Sequence, residues 1–185
     1  MKRQKNIYGG GAKTNLNGLK FEAETSLLKV FSANPQFSFK VLQKTNFVQN
    51  IYLDEELIGY YTEKHDFYKY LEWKGVHWNG INSKKYLPDS VFINEKKKKI
   101  FVVEKKFQEV EGSVDEKLQT CHFKKKVYQK LISKIVGNYS LEYYYLLNSF
   151  FEKNKYDDVK AYIQSVGCKY FIGFIEFEEL GIEKN

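Results

Sequence analysis

Cysteine, proline and long apolar runs are all scarce in this 185-residue chain, and each scarcity removes a class of protein. The two cysteines, Cys121 and Cys168, lie far apart and lack metal-ligand spacing. That excludes a disulfide scaffold and a cysteine zinc site, and predicts reduced thiols in a cytoplasmic protein. No apolar stretch approaches the roughly eighteen residues that cross a bilayer, so no membrane helix is expected. The opening MKRQKNIYGGGAKTNLNG is charged and glycine-rich and leads into no apolar segment, so it does not read as a secretory signal. Its GGGAKT, residues 9–14, lacks the glycine that a phosphate loop needs before its lysine, and follows no strand. No nucleotide cofactor is expected. The three histidines, His65, His77 and His122, share no ligand spacing and no ββα pattern, which argues against an HNH nuclease.

What remains is an aromatic, basic, foldable chain. Hydrophobic residues make up 43% and aromatics 17%, enough for a packed core. Lys and Arg number 30 against 23 Asp and Glu, a net charge of +7. A surplus of that sign suits a polyanion, nucleic acid being the commonest. An A- and T-rich coding bias would enrich lysine as well, so charge alone does not decide.

Periodicity divides the chain. Residues 1–17 read as a flexible arm, and 18–185 as a single domain. Leu19, Ala23, Leu27, Val30 and Phe31 recur at helical spacing over 18–31. FSFKVLQ, 37–43, alternates as a strand, and a short helix is expected over 66–73 with Asp66 as its N-cap. SVFI and IFVVEKK form a hairpin through NEKKKK. A long helix is expected over 113–136, with Leu118, Phe123, Val127, Leu131 and Ile135 as its apolar stripe and its lysines on the other faces. LEYYYLLN is a strand, its tyrosines better read as core than as a base-stacking platform. A helix capped by Asp157 and closed by Gly167 precedes a last strand, KYFIGFIEF. The order implies an α/β fold with a mixed central sheet flanked by helices.

The hairpin carries the chemistry. Acid-x-Lys tripeptides are common here, but only Glu104 and Lys106 directly extend a β-rich run, and two apart on a strand they share one face. Asp89 opens the preceding strand fifteen positions earlier, so the fold-back brings it beside Glu104. Paired carboxylates repel unless a cation lies between them. Hard oxygen donors with positions left for water suit Mg2+, and Lys106 would stand beside it to orient a water and offset phosphate charge. The lysine knot Lys96 to Lys99 falls at the opposite end of the hairpin and reads as a solvated turn. Lys117, Lys124, Lys125, Lys126 and Lys130 suit either a face toward phosphates or a partner, or simply the solvated side of an amphipathic core helix.

Pro88-Asp89, the hairpin and Glu104-Lys105-Lys106 resemble the signature of PD-(D/E)XK nucleases, whose restriction-endonuclease-like core runs αβββαβ. GSVDEKLQ, 112–119, resembles the segment after the catalytic strand in type IIS cleavage domains. NGLKFEAET, 17–25, resembles the opening helix of several restriction enzymes. The layout is most similar to the small cleavage subunit of a heterodimeric type IIS restriction endonuclease. The resemblance implies Asp89 and Glu104 as metal ligands, the Lys105 carbonyl as a third, Lys106 as the catalytic lysine, and Glu22 as a helix-borne acid that helps bind the metal. The helical wheel sets Glu22 outside the apolar arc, which keeps Glu24 as its alternative. It further implies Mg2+, double-stranded DNA as substrate, and a larger subunit that reads the sequence and cuts the other strand. The alternatives are a homodimeric or structure-specific nuclease, and a basic nucleic-acid-binding protein with structural acids.

Overall fold

A computed structural model describes residues 10–111 and 114–183. Two helices, α1 (Gly10–Glu24) and α2 (Leu27–Ser32), precede three strands, β1 (Phe37–Lys40), β2 (Gln49–Leu53) and β3 (Glu56–Thr62). Helix α3 (Lys64–Trp73) leads to the hairpin of β4 (Ser90–Asn94) and β5 (Lys99–Lys106). Then follow α4 (Val114–Leu118), α5 (Cys121–Ile132), β6 (Ser140–Leu147), α6 (Asp157–Ser165) and β7 (Lys169–Ile172). All seven strands join one sheet in sequence order. Strands β1 to β5 form an antiparallel meander, and β5–β6 and β6–β7 are parallel, so the sheet is mixed and the fold is α/β as expected.

Both faces of the sheet are covered, which is why β4 is buried along its whole length instead of alternating. On one face Val91, Ile93, Ile100, Val102, Tyr143 and Tyr145 pack against α3 and α5 through Phe67, Leu71, Tyr128 and Leu131. On the other, Phe92, Phe101, Val103 and Tyr144 pack against Leu27 and Phe31 of α2 and against Ile175, Leu180 and Ile182. The tyrosine run of β6 is core on both sides, as its strand reading requires. Among the described residues no helix is long and apolar enough to cross a membrane.

Several boundaries differ from the periodicity. Residues 1–9 of the expected arm lie outside the described residues, but 10–17 belong to α1, which runs without a break into the expected helix. That helix then stops early. The Thr25 hydroxyl bonds back to the Phe21 carbonyl at 2.6 Å, and Ser26 takes an extended backbone before α2, so hydroxyl side chains compete with the helix ladder at this step. The break rotates the apolar stripe: Leu27 and Phe31 are buried and Ala23 is exposed. The expected helix over 113–136 is likewise two, parted at Gln119–Thr120, where the Thr120 hydroxyl bonds to the Lys117 carbonyl at 2.7 Å. Its buried face carries Cys121, Tyr128 and Ile132 beside Val127 and Leu131, and Phe123 is 55% exposed rather than core. Helix α3 starts two residues early, leaving Asp66 in the first turn, where the helix dipole still favours an acid.

Candidate active site

The β4–β5 register pairs Ser90 with Val103 and runs on to Asn94 with Lys99. One further step past Ser90 sets Asp89 opposite Glu104. Because successive residues alternate across a sheet, Asp89, Glu104 and Lys106 share the face covered by α5, and Lys105 points to the face covered by α2. The hairpin fold-back thus assembles the expected residues.

The approach to Asp89 is held by its backbone. The Tyr68 hydroxyl donates to the Tyr86 carbonyl at 2.8 Å and accepts from the Tyr86 amide at 2.7 Å, and the Tyr128 hydroxyl donates to the same carbonyl at 2.9 Å. The Lys64 amide holds the Pro88 carbonyl at 2.8 Å. Asp89 itself accepts the Lys105 amide on Oδ2 at 2.8 Å, which ties the start of one strand to the end of the next. Beyond β5, Gln108 and Asn148 clamp each other, amide to side chain at 3.1 Å and side chain to carbonyl at 2.9 Å, fixing where Lys106 leaves the sheet.

Lys106 reaches both acids. Its Nζ lies 3.3 Å from Glu104 Oε1 and 4.0 Å from Asp89 Oδ2, and donates to the Lys105 carbonyl at 2.9 Å. Glu104 is 6% exposed, so its charge needs partners. Oε1 has two, Lys106 and Lys124. Oε2 is buried and has none. Tyr128 and Tyr143 wall this pocket, and burial, reinforced by the negative charge of Glu104, pushes both hydroxyls well above the usual tyrosine range. They are therefore neutral lining, not bases.

Lys124 is the residue that sequence reasoning missed. The periodicity counts it with the lysines on the outer faces of the helix, yet it lies three residues after Cys121 and four before Tyr128, within the buried stripe. Taking Tyr128 and not Phe123 as core would have revealed it. On the opposite face of the sheet, Lys105 is buried and donates to the Glu22 carbonyl at 2.9 Å. Burial lowers its pKa, and the nearby charges of Asp89, Glu63 and Glu22 oppose that shift. Glu22 is therefore near the site and half-buried, whereas Glu24 is exposed and faces Lys20 at 3.8 Å. The knot at the far end of the hairpin is neutralised in pairs: Lys96 with Glu56, Lys97 with Glu183, Lys98 with Glu95 and Lys99 with Glu142. All three histidines are exposed.

The donor set can be tested against a metal. Among the described residues no three His, Cys, Asp or Glu side chains converge to hold one. Asp89 and Glu104 converge as a pair, with the Lys105 carbonyl beside them, and Glu22 does not complete a triad. Two carboxylates and a carbonyl are all hard oxygens, and the unpartnered buried Oε2 is the kind of atom a cation would satisfy. Such a set fits Mg2+, which keeps several waters and takes further oxygens from substrate phosphate. It suits a thiophilic metal poorly.

No curated protein and no solved structure matches the chain significantly. A family model does: that of the PD-(D/E)XK nuclease superfamily domain matches residues 32–138, more than half the chain, a span that holds Asp89, Glu104, Lys106 and Lys124 but not Glu22. With the acids opposed in register and the lysine of the third motif position between them, the chain belongs to the PD-(D/E)XK nuclease superfamily.

Proposed function

We propose that this nuclease is a Mg2+-dependent DNA endonuclease and the cleavage subunit of a heterodimeric type IIS restriction endonuclease. Nucleases of the superfamily generally use divalent metals, and the nuclease domain implies DNA as substrate. The observation that carries the reading is the register-opposed pair Asp89 and Glu104, with Lys106 Nζ in reach of both and Glu104 Oε2 buried without a partner.

In this reading Asp89 and Glu104 hold the cation, with the Lys105 carbonyl as a third donor. A divalent cation bound there supplies Lewis acidity toward a phosphoryl oxygen and a more acidic water. Lys106 orients the attacking water through its ammonium and offsets charge that grows on the scissile phosphate. Tyr128 and Tyr143 keep the floor of the site dry, which strengthens each electrostatic contact. Glu22 approaches from α1 behind Lys105 and tunes the charge around it. One such centre cuts one strand.

Every strand among the described residues belongs to the one catalytic sheet, and no three His, Cys, Asp or Glu side chains cluster among them as a zinc module would need. That supports assigning target choice, and the second strand, to a larger subunit. Buried, unbridged Cys121 and Cys168 suit the reducing cytoplasm.

Plasmid cleavage tests the division of labour. With Mg2+ the isolated chain should cut poorly. Combined with a larger subunit from an adjacent reading frame whose own centre is inactivated, it should convert supercoiled DNA to the nicked circle at one defined position. Defined double-strand cutting by the isolated chain contradicts the heterodimer.

A further inference from the structure

Two carboxylates and two ammonium groups balance in this pocket. Asp89 and Glu104 face Lys106 and Lys124, and both lysines converge on the same Glu104 oxygen. A divalent cation added to that set either displaces one lysine or leaves the pocket with a surplus of positive charge. The two lysines are not equally free to go. Lys106 sits on the strand itself and holds three acceptors, Glu104, Asp89 and the Lys105 carbonyl. Lys124 reaches in from α5 on a flexible four-carbon stem and is 23% exposed; its one ion pair among the described residues is with Glu104. A rotation toward solvent breaks that pair and leaves the backbone bond from the Lys124 amide to the Thr120 carbonyl in place.

We propose that Lys124 is an exchangeable counter-ion: it neutralises Glu104 in the metal-free chain and must yield that carboxylate before a cation binds. The proposal rests on the nuclease reading of Asp89 and Glu104 and gives that site a built-in competitor. Exchange keeps the buried carboxylate paired in both states, so the hairpin end does not come apart when metal is absent. The same exchange weakens metal binding in the free protein and leaves an ammonium group at the rim of the site, where the nearest new anion is a substrate phosphate. Metal and DNA would then favour each other through one side chain.

The test is a Mn2+ titration of the full chain without DNA, read from loss of the free-ion electron paramagnetic resonance signal, with folding checked by circular dichroism. Removing the competitor in Lys124→Met, or in Lys124→Gln should the first variant fold poorly, should tighten Mn2+ binding on the order of tenfold, the cost of displacing one charge-assisted hydrogen bond. Lys124→Arg keeps the competing charge and should stay near wild type, as should Lys126→Met on the exposed side of α5. Glu104→Gln should lose the site. Unchanged or weaker binding in folded Lys124→Met, with wild-type binding still dependent on Glu104, overturns the counter-ion and leaves the metal site standing. Equal binding by wild type and Glu104→Gln overturns both.

Discussion

Replacing Gly59 with alanine should destabilise the fold from the end of the hairpin remote from the acids. Gly59 lies opposite Asn94 in the β3–β4 ladder, beside the register shift at Ile51/Tyr52 that leaves Ile58 of β3 as an extra residue. An added Cβ would meet the Ile93 carbonyl oxygen at 1.8 Å and its carbon at 2.9 Å. Real contacts of this kind do not fall below 3.0 Å, so the strands must part by about 1.2 Å at a point where the obstacle is backbone and cannot rotate away. Such a shift carries the neighbouring Glu95–Ile58 hydrogen bond, 2.9 Å long, out of range and loosens the packing beneath it. Two lost ladder bonds at about 1 kcal/mol each, plus strain of similar size, give a cost of about 3 kcal/mol. For a chain of this length that corresponds to a fall in Tm of roughly 6–12 °C. Urea denaturation with an unchanged slope and a lower midpoint is the readout. Activity per folded molecule should change little, because Asp89 is at the other end of β4. A variant within about 0.5 kcal/mol of wild type would refute the close-approach account of this glycine.

Glu95 gives a pH test. Burial alone would raise its pKa, but hydrogen bonds from Lys98, Tyr139 and Lys74 together outweigh it and hold the carboxyl below the usual range. A depressed folded value means stability that is present above about pH 4.3 and lost as pH falls through the folded pKa. Urea midpoints of Glu95→Gln should be lower at pH 7, by about 1–2 kcal/mol, and should converge on wild type in acid; parallel curves would rule the network out. Neutralising Lys96 and Lys97 together should leave DNA cleavage within about twofold and stability within about 1 kcal/mol, since both are exposed and paired with carboxylates away from the site. A large loss of cleavage would instead put the knot on DNA. Glu22→Gln should weaken cleavage and Glu24→Gln should not, because only Glu22 acts on Lys105; the reverse ranking in a nicking assay would restore the helical-wheel choice.

The hairpin and its acids were legible because a strand's period is two and a tight turn fixes register, so Asp89, Glu104 and Lys106 could be aligned by counting. The meander before it was not. Gln49–Leu53 and Glu56–Thr62 turn through Asp54 and Glu55, both at positive φ, a conformation that acids seldom advertise in the absence of glycine or asparagine. The helix breaks at Thr25–Ser26 and Gln119–Thr120 were hidden for a related reason: hydroxyl groups that bond back to the preceding turn carry no proline or glycine mark. The second break misled most, because the buried face of α5 takes in Cys121, Tyr128 and Ile132 and leaves out Phe123, so Lys124 reads as surface when it faces Glu104. Glu22 came from resemblance, and its neighbourhood with Lys105 depends on packing between elements far apart in the chain.

The most direct test of the central claim is metal-dependent nicking of supercoiled DNA by the wild-type chain and by Asp89→Asn and Lys106→Met, each shown to be folded and each combined with the larger subunit whose own centre is inactivated. The account predicts cutting in Mg2+, none in EDTA, and a loss of at least about a hundredfold in both variants. Undiminished cutting by either folded variant would contradict it.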